Sequence, residues 1–116
     1  MTFILAMVGS KRLQRNAHVL CLLNKCKPAG QRAIVQNSPP DVIDCLCEIC
    51  LNVLKGNVPL TSKQKAKLSS YKASLRALGK KSTPTKRRRK ILQKGGFLGA
   101  LLGPLLKTII GPLLSS

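Results

Sequence analysis

Leu13, Ala17 and Leu20, followed by Asn24, recur at three- and four-residue spacing, which predicts a helix from a Ser10 cap to about Asn24. Pro28 and Gly30 interrupt it, and a shorter helical piece is expected from Gln31 to Asn37. Ser38-Pro39-Pro40-Asp41 then reads as an N-cap, two prolines where no N–H is needed, and an acid at the positive end of the helix dipole. The helix behind it, Val42 to Lys55, is apolar on most sides and stops at Gly56, so it is the expected centre of the core. After the turn Asn57-Val58-Pro59-Leu60, Thr61 and Gln64 form a capping box for one further helix, striped by Leu68, Tyr71, Leu75 and Leu78 and ended by Gly79.

The tail has a different rhythm. From Phe97 the chain runs in four-residue blocks, each opening with two apolar residues: Phe97-Leu98, Leu101-Leu102, Leu105-Leu106, Ile109-Ile110 and Leu113-Leu114. A four-residue period drifts ~40° per block on an α-helix, so these pairs form a slow spiral. As a helix, Phe97 to Leu114 would be ~27 Å long, but Pro104 and Pro112 kink it, which favours lying in a membrane interface over spanning a bilayer. Folding back onto the chain's own helices, or docking on a partner, is the other use of such a tail. The expected fold is therefore all-α: a small bundle of three to four helices with a basic linker and a hydrophobic, kinked helical C-terminal tail. Its parts are 1–56, an apolar and mildly basic helical segment; 57–79, a basic amphipathic helix; 80–96, a polybasic linker ending in Gly-Gly; and 97–116, the tail. The opening run Met1 to Gly9 lacks a positive n-region and reads as a segment folded against the domain rather than a secretory signal.

Charge changes the picture more than length does. In 116 residues there are 21 Lys and Arg against 3 Asp and Glu, a formal charge of +18. One small domain is the most such a chain forms, and three acids with one histidine leave little for acid–base catalysis, so no enzyme is expected and no catalytic residue is assigned. Asp41, Asp44 and Glu48 lie in one short window, whereas Lys55 to Lys94 holds 14 cations and no acid. Self-repulsion on that scale calls for an external polyanion. The candidate nucleic-acid contacts are Lys63, Lys65, Lys67, Lys72, Arg76, Lys80, Lys81, Lys86, Arg87, Arg88, Arg89, Lys90 and Lys94. Five of these, Lys86, Arg87, Arg88, Arg89 and Lys90, are consecutive and also fit a nuclear-import signal. Only Tyr71 is available in this zone to stack a base, so duplex binding without sequence preference is expected.

Cys21, Cys26, Cys45, Cys47 and Cys50 supply one clean C-x2-C pair, and His18 with Cys21 a second possible one. Buried free thiols are the leading reading, with zinc, disulfide and a Cys/His nucleophile as alternatives; no cofactor or metal is assigned.

The order of polybasic run, Gly95-Gly96, and Phe-Leu with repeated Leu, Ile, Gly and Pro resembles the C-terminal part of adenovirus core protein X, precursor of the mu peptide. From about Asp41 to Leu114, including Cys47-Glu48-Ile49-Cys50, Gly56-Asn57-Val58-Pro59-Leu60 and Gln93-Lys94-Gly95-Gly96-Phe97-Leu98, the chain resembles the small basic proteins of Polinton (Maverick) elements and adintoviruses. That resemblance implies a virion core protein, found in the virion and host nucleus, that condenses double-stranded DNA. It also implies cleavage by a viral-type protease at Gly95, Gly96 and Phe97. The remaining candidate contacts are with an anionic membrane, through Phe97, Leu98, Leu101, Leu102, Leu105, Leu106, Ile109, Ile110, Leu113 and Leu114. A membrane-active entry protein and a helical scaffold or interaction protein whose tail docks a partner groove are the rival functions, and self-association is a further partner expectation.

Overall fold

The computed structural model describes residues 11–56, 58, 60–94 and 96–105. Along the chain its helices are α1 (Lys11–Lys25), α2 (Pro28–Asn37), α3 (Pro40–Leu54), α4 (Ser62–Ser69), α5 (Lys72–Gly79), α6 (Thr85–Leu92) and α7 (Phe97–Leu105). Among the described residues there is no strand, so the all-α expectation holds, but the helices number seven rather than three or four. The expectation for Met1 to Gly9 lies outside the described residues.

Local chemistry explains most boundaries. The Thr61 hydroxyl accepts from Gln64 N–H at 3.2 Å while Thr61 N–H donates to Gln64 Oε1 at 2.9 Å, the reciprocal capping box expected of that pair. Gly56, with φ of 75°, closes α3 in the left-handed conformation that glycine adopts without a Cβ penalty. Pro28 and Pro40 open α2 and α3, where a missing N–H costs nothing. Ser38 departs from expectation: Pro39 is the N-cap of α3, and Ser38 ends α2, its hydroxyl donating to the Ile34 carbonyl.

The single helix expected before Gly79 is two. Ser69 and Ser70 hydroxyls donate to the Ala66 and Lys67 carbonyls at 2.7 and 2.8 Å, competing with helical N–H donors for those acceptors. Tyr71 N–H then bonds Leu68 O at 2.9 Å, and Tyr71 itself leaves the α region at φ −108°, ψ 17°. The basic run is also helical rather than linker, because Pro84 fixes the entry to α6 and Ile91 and Leu92 reach the core one turn later.

α3 is the centre of this core. It buries Val42, Ile43, Cys45, Leu46, Cys47, Ile49 and Cys50, and packs against α1, α5 and α6. α6 bridges α2, α3 and α5, while α7 packs against α1 and α4. Phe97, Leu98, Ala100, Leu101 and Leu102 of α7 join Leu20, Leu46, Leu78 and Leu92 in one buried cluster. The first part of the apolar tail is thus core.

Candidate nucleic-acid interface

All three acids are consumed where α1, α3 and α6 meet. Arg15 Nη2 donates to Asp41 Oδ1 at 2.9 Å, and Asn16 Nδ2 donates to Asp41 Oδ2 at 3.0 Å. These bonds, Arg15 first and Asn16 second, hold the Asp41 carboxyl below its ordinary range. Arg12 reaches both Asp41 at 3.4 Å and Glu48 at 3.7 Å, and Arg88 Nη1 meets Asp44 at 3.4 Å. Arg12 and Arg15 were not singled out in the sequence; the coincidence of an acid cluster with a basic first helix was the available signal.

The five consecutive cations do not share one face. Helical geometry separates them: Lys86, Arg87 and Lys90 are exposed, while Arg88 and Arg89 turn toward the protein above Leu92. The Arg88 side chain keeps 13% of its exposure, and its Nη2 donates to Lys80 O at 2.7 Å. Its Nε is buried without a partner among the described residues. Arg89 Nη1 donates to Val35 O at 2.7 Å, placing a cation on the carbonyl end of α2, where the helix dipole favours it. Arg88 and Arg89 are therefore structural in this fold, and a receptor that reads five consecutive side chains would have to open α6. The spacing of Arg88 and Arg89 to Leu92, four and three residues, was the sequence signal for this inward turn.

The outward cations form a continuous band through three shared clefts. Lys65 of α4 and Lys72 of α5 flank the first, over Leu68 and Leu75. Arg76, one turn beyond Lys72, shares the second with Lys80 and Arg87, and Arg87 shares the third with Lys86 and Lys90. No carboxylate lines any of them. Lys63 and Lys67 are exposed on α4. Lys81 opens instead onto a mixed-charge cleft with Arg12, Asp44, Glu48 and Arg88, and Lys94 Nζ donates to Ser74 Oγ at 3.1 Å.

The candidate cleavage site is folded on its C-terminal side. Gly96 is exposed with φ of 79°, a left-handed position that explains the glycine without a protease, and an added Cβ would lie 3.0 Å from the Tyr71 hydroxyl. Phe97 is fully buried, with its ring edge-on to Tyr71 at 5.3 Å between centroids. Gly95 lies outside the described residues. Of the candidate membrane contacts, Phe97, Leu98, Leu101 and Leu102 are buried in the protein core rather than presented on a free face, because α1 and α4 cover them. The Leu105 side chain and Leu106, Ile109, Ile110, Leu113 and Leu114 lie outside the described residues. Among the described residues no helix is long and apolar enough to cross a membrane.

The thiols of Cys45, Cys47 and Cys50 are buried among the apolar side chains of α3; Cys21 and Cys26 are half-buried, and all five are free. No group of three or more metal-ligating side chains occurs among the described residues. Burial pushes the Cys45 thiol up to about 12 and that of Cys47 to about 11, opposite to the shift that activates a nucleophile. Above pH 9 the unfolded thiols ionise while the folded ones keep their protons, so the buried thiols' contribution to folding stability is constant below that pH and falls above it. The loss attributable to Cys45 is about 1.4 kcal/mol per pH unit until the folded thiol titrates. Urea unfolding of wild type and Cys45→Val at pH 9 and 10.5 checks this: the variant should lose about 2 kcal/mol less over that interval.

Compared with protein-family profiles, curated proteins and solved structures, the chain matches none.

Proposed function

We propose that this chain is a non-enzymatic packaging protein of a virus or virus-like element, working in the virion core and host nucleus, whose cationic band binds double-stranded DNA without reading its sequence. The observation that carries this reading is the segregation of charge. The three acids are tied to Arg12, Arg15 and Arg88, while Lys65, Lys72, Arg76, Lys80, Lys86, Arg87 and Lys90 adjoin one another along α4, α5 and α6 with no carboxylate between them. Such a band is held in a self-repelling arrangement that duplex phosphates relieve by releasing their counterions.

The chemistry of the band favours backbone contact over base readout. Exposed lysine and arginine tips meet phosphates, and the aromatic ring nearest them, Tyr71, is half-buried against Phe97. The longest dimension of the molecule, 33 Å, covers about one turn of duplex, ~34–36 Å, which suits a protein packed side by side along DNA. The membrane-active alternative requires α7 to leave the core first.

Titration of the full chain with duplexes of unrelated sequence, at several salt concentrations, tests the proposal. If each of the seven band cations meets one phosphate, log affinity should fall against log salt with a slope of roughly −6 and should differ little between sequences. A slope near zero, or a strong preference for one duplex, would overturn it.

A further inference from the structure

Between α5 and α6 the band crosses a cleft with a volume of about 500 Å³. Arg76, Lys80 and Arg87 line it, together with the turn that carries Thr83 and Pro84. Thr83 N–H donates to Lys80 O at 3.2 Å and closes that turn. The half-buried Thr83 hydroxyl donates to Ala77 O at 2.7 Å, and Ala77 also lines the cleft, so the hydroxyl lies on its wall. Pro84 caps α6, whose first helical bond is from Arg88 N–H to Pro84 O at 3.0 Å. The leading N–H groups of the helix therefore lie beside the same cleft.

A sequence feature outside the nucleic-acid reading falls on this spot. Two hydroxyl residues in the chain precede proline: Ser38 and Thr83. Ser38 is followed three residues on by Asp41, whereas Thr83-Pro84-Thr85-Lys86 carries a cation at that position and Thr83 lines a cleft of cations. A kinase that reads hydroxyl-Pro with a following cation discriminates between the two.

We propose that Thr83 is a phosphoacceptor for an ATP-dependent, proline-directed protein kinase, and that the phosphate it receives occupies the cleft of Arg76, Lys80 and Arg87. Thr83 Oγ1 attacks the γ-phosphorus of ATP. The new O–P bond forms as the bond to the β-phosphate oxygen breaks, the hydroxyl proton passes to the kinase base, and ADP leaves. The ester oxygen no longer donates to Ala77 O; in exchange, the phosphate oxygens accept charge-assisted bonds from the three cations. A phosphate brings about −1.5 to −2 charges at pH 7, which offsets about half to two thirds of the charge of Arg76, Lys80 and Arg87. Resting on the DNA-binding reading, the consequence is a switch: a phosphate on Thr83 takes the place of a duplex phosphate and loosens packaging.

The experiment treats the full chain with ATP and a proline-directed kinase and maps the product by mass spectrometry. Modification is expected at Thr83, retained in Thr83→Ser and lost in Thr83→Val, with circular dichroism checking that each variant is folded. Modification at Ser38, Ser82 or Thr85 instead, or none in the folded wild type, overturns the proposal. ³¹P titration of the phosphorylated chain tests the seat apart from any DNA. Its second ionisation should lie below the ordinary value of about 6 and return toward it in Arg76→Gln/Arg87→Gln; an ordinary value in the wild-type background overturns the seat. Losing about two phosphate contacts should lower duplex affinity roughly 60-fold at 0.1 M salt and flatten the slope by about 2. If neither form binds DNA while the ³¹P shift persists, the packaging function fails and the phosphate seat stands; if DNA binding persists unchanged by phosphorylation, the switch fails and packaging stands.

Discussion

Replacing Phe97 by alanine is expected to lower folding stability by about 3–5 kcal/mol, the range for removing a fully buried aromatic ring. Phe97 is 0% exposed, packs edge-on against Tyr71, and begins the helix that joins α1 to α4. Removing the ring leaves a cavity lined by side chains that α1 and α4 hold in place, so collapse can recover only part of the loss. Against a total stability of about 5–15 kcal/mol for a domain, this is a large fraction. Urea unfolding followed by far-ultraviolet circular dichroism measures it, and a loss under about 1 kcal/mol would mean that α7 is not part of the core. The same variant addresses cleavage: a protease acting after Gly96 must take Phe97 out of the core, so cutting should be faster in Phe97→Ala than in wild type. That rate follows the population of the opened state.

Replacing Lys72, Lys86 and Lys90 together by glutamine should lower duplex affinity by about 10²–10³-fold at 0.1 M salt and reduce the salt slope by about 2.7, with folding stability nearly unchanged. The magnitude follows from counterion release, which gives each lost phosphate contact a slope of about 0.9 and hence close to a factor of eight at that salt. These three side chains are exposed and, among the described residues, none is bonded to a carboxylate, so their loss removes repulsion rather than structure. Arg88→Gln with Arg89→Gln provides the contrast. Arg88 holds Asp44 and the Lys80 carbonyl, and Arg89 the Val35 carbonyl, so that pair should act mainly on stability. Fluorescence titration with a labelled duplex, beside urea unfolding, separates the two effects; equal losses of affinity in both variants would mean that the band is not the interface.

Features legible in the sequence share a short range. The Thr61–Gln64 capping box, the left-handed Gly56, Pro40 at the start of α3, and burial on several sides of α3 all depend on residues within about one helical turn of each other, whereas Pro28, read as an interruption before a helix from Gln31, opens α2 itself. The charge segregation is legible for the same reason, since it is a property of order along the chain. Reading failed where one local preference competed with another. Ser69 and Ser70 turn their hydroxyls onto carbonyls behind them and split the helix that the stripe Leu68, Tyr71, Leu75 and Leu78 suggests.

By itself, then, the sequence determined an all-α chain with its excess charge gathered between Lys55 and Lys94 and its apolarity on either side. Only the tertiary structure decided which cations are free and which apolar residues are interior. Arg88 meets Asp44 across 44 positions and Arg89 meets Val35 across 54, and no spacing rule encodes such pairs. Likewise, the pattern from Phe97 onward specifies an apolar helix but not what covers it. Within the described part of α7 the answer is α1 and α4, because an apolar face gains as much free energy against protein as it would against any other water-excluding surface.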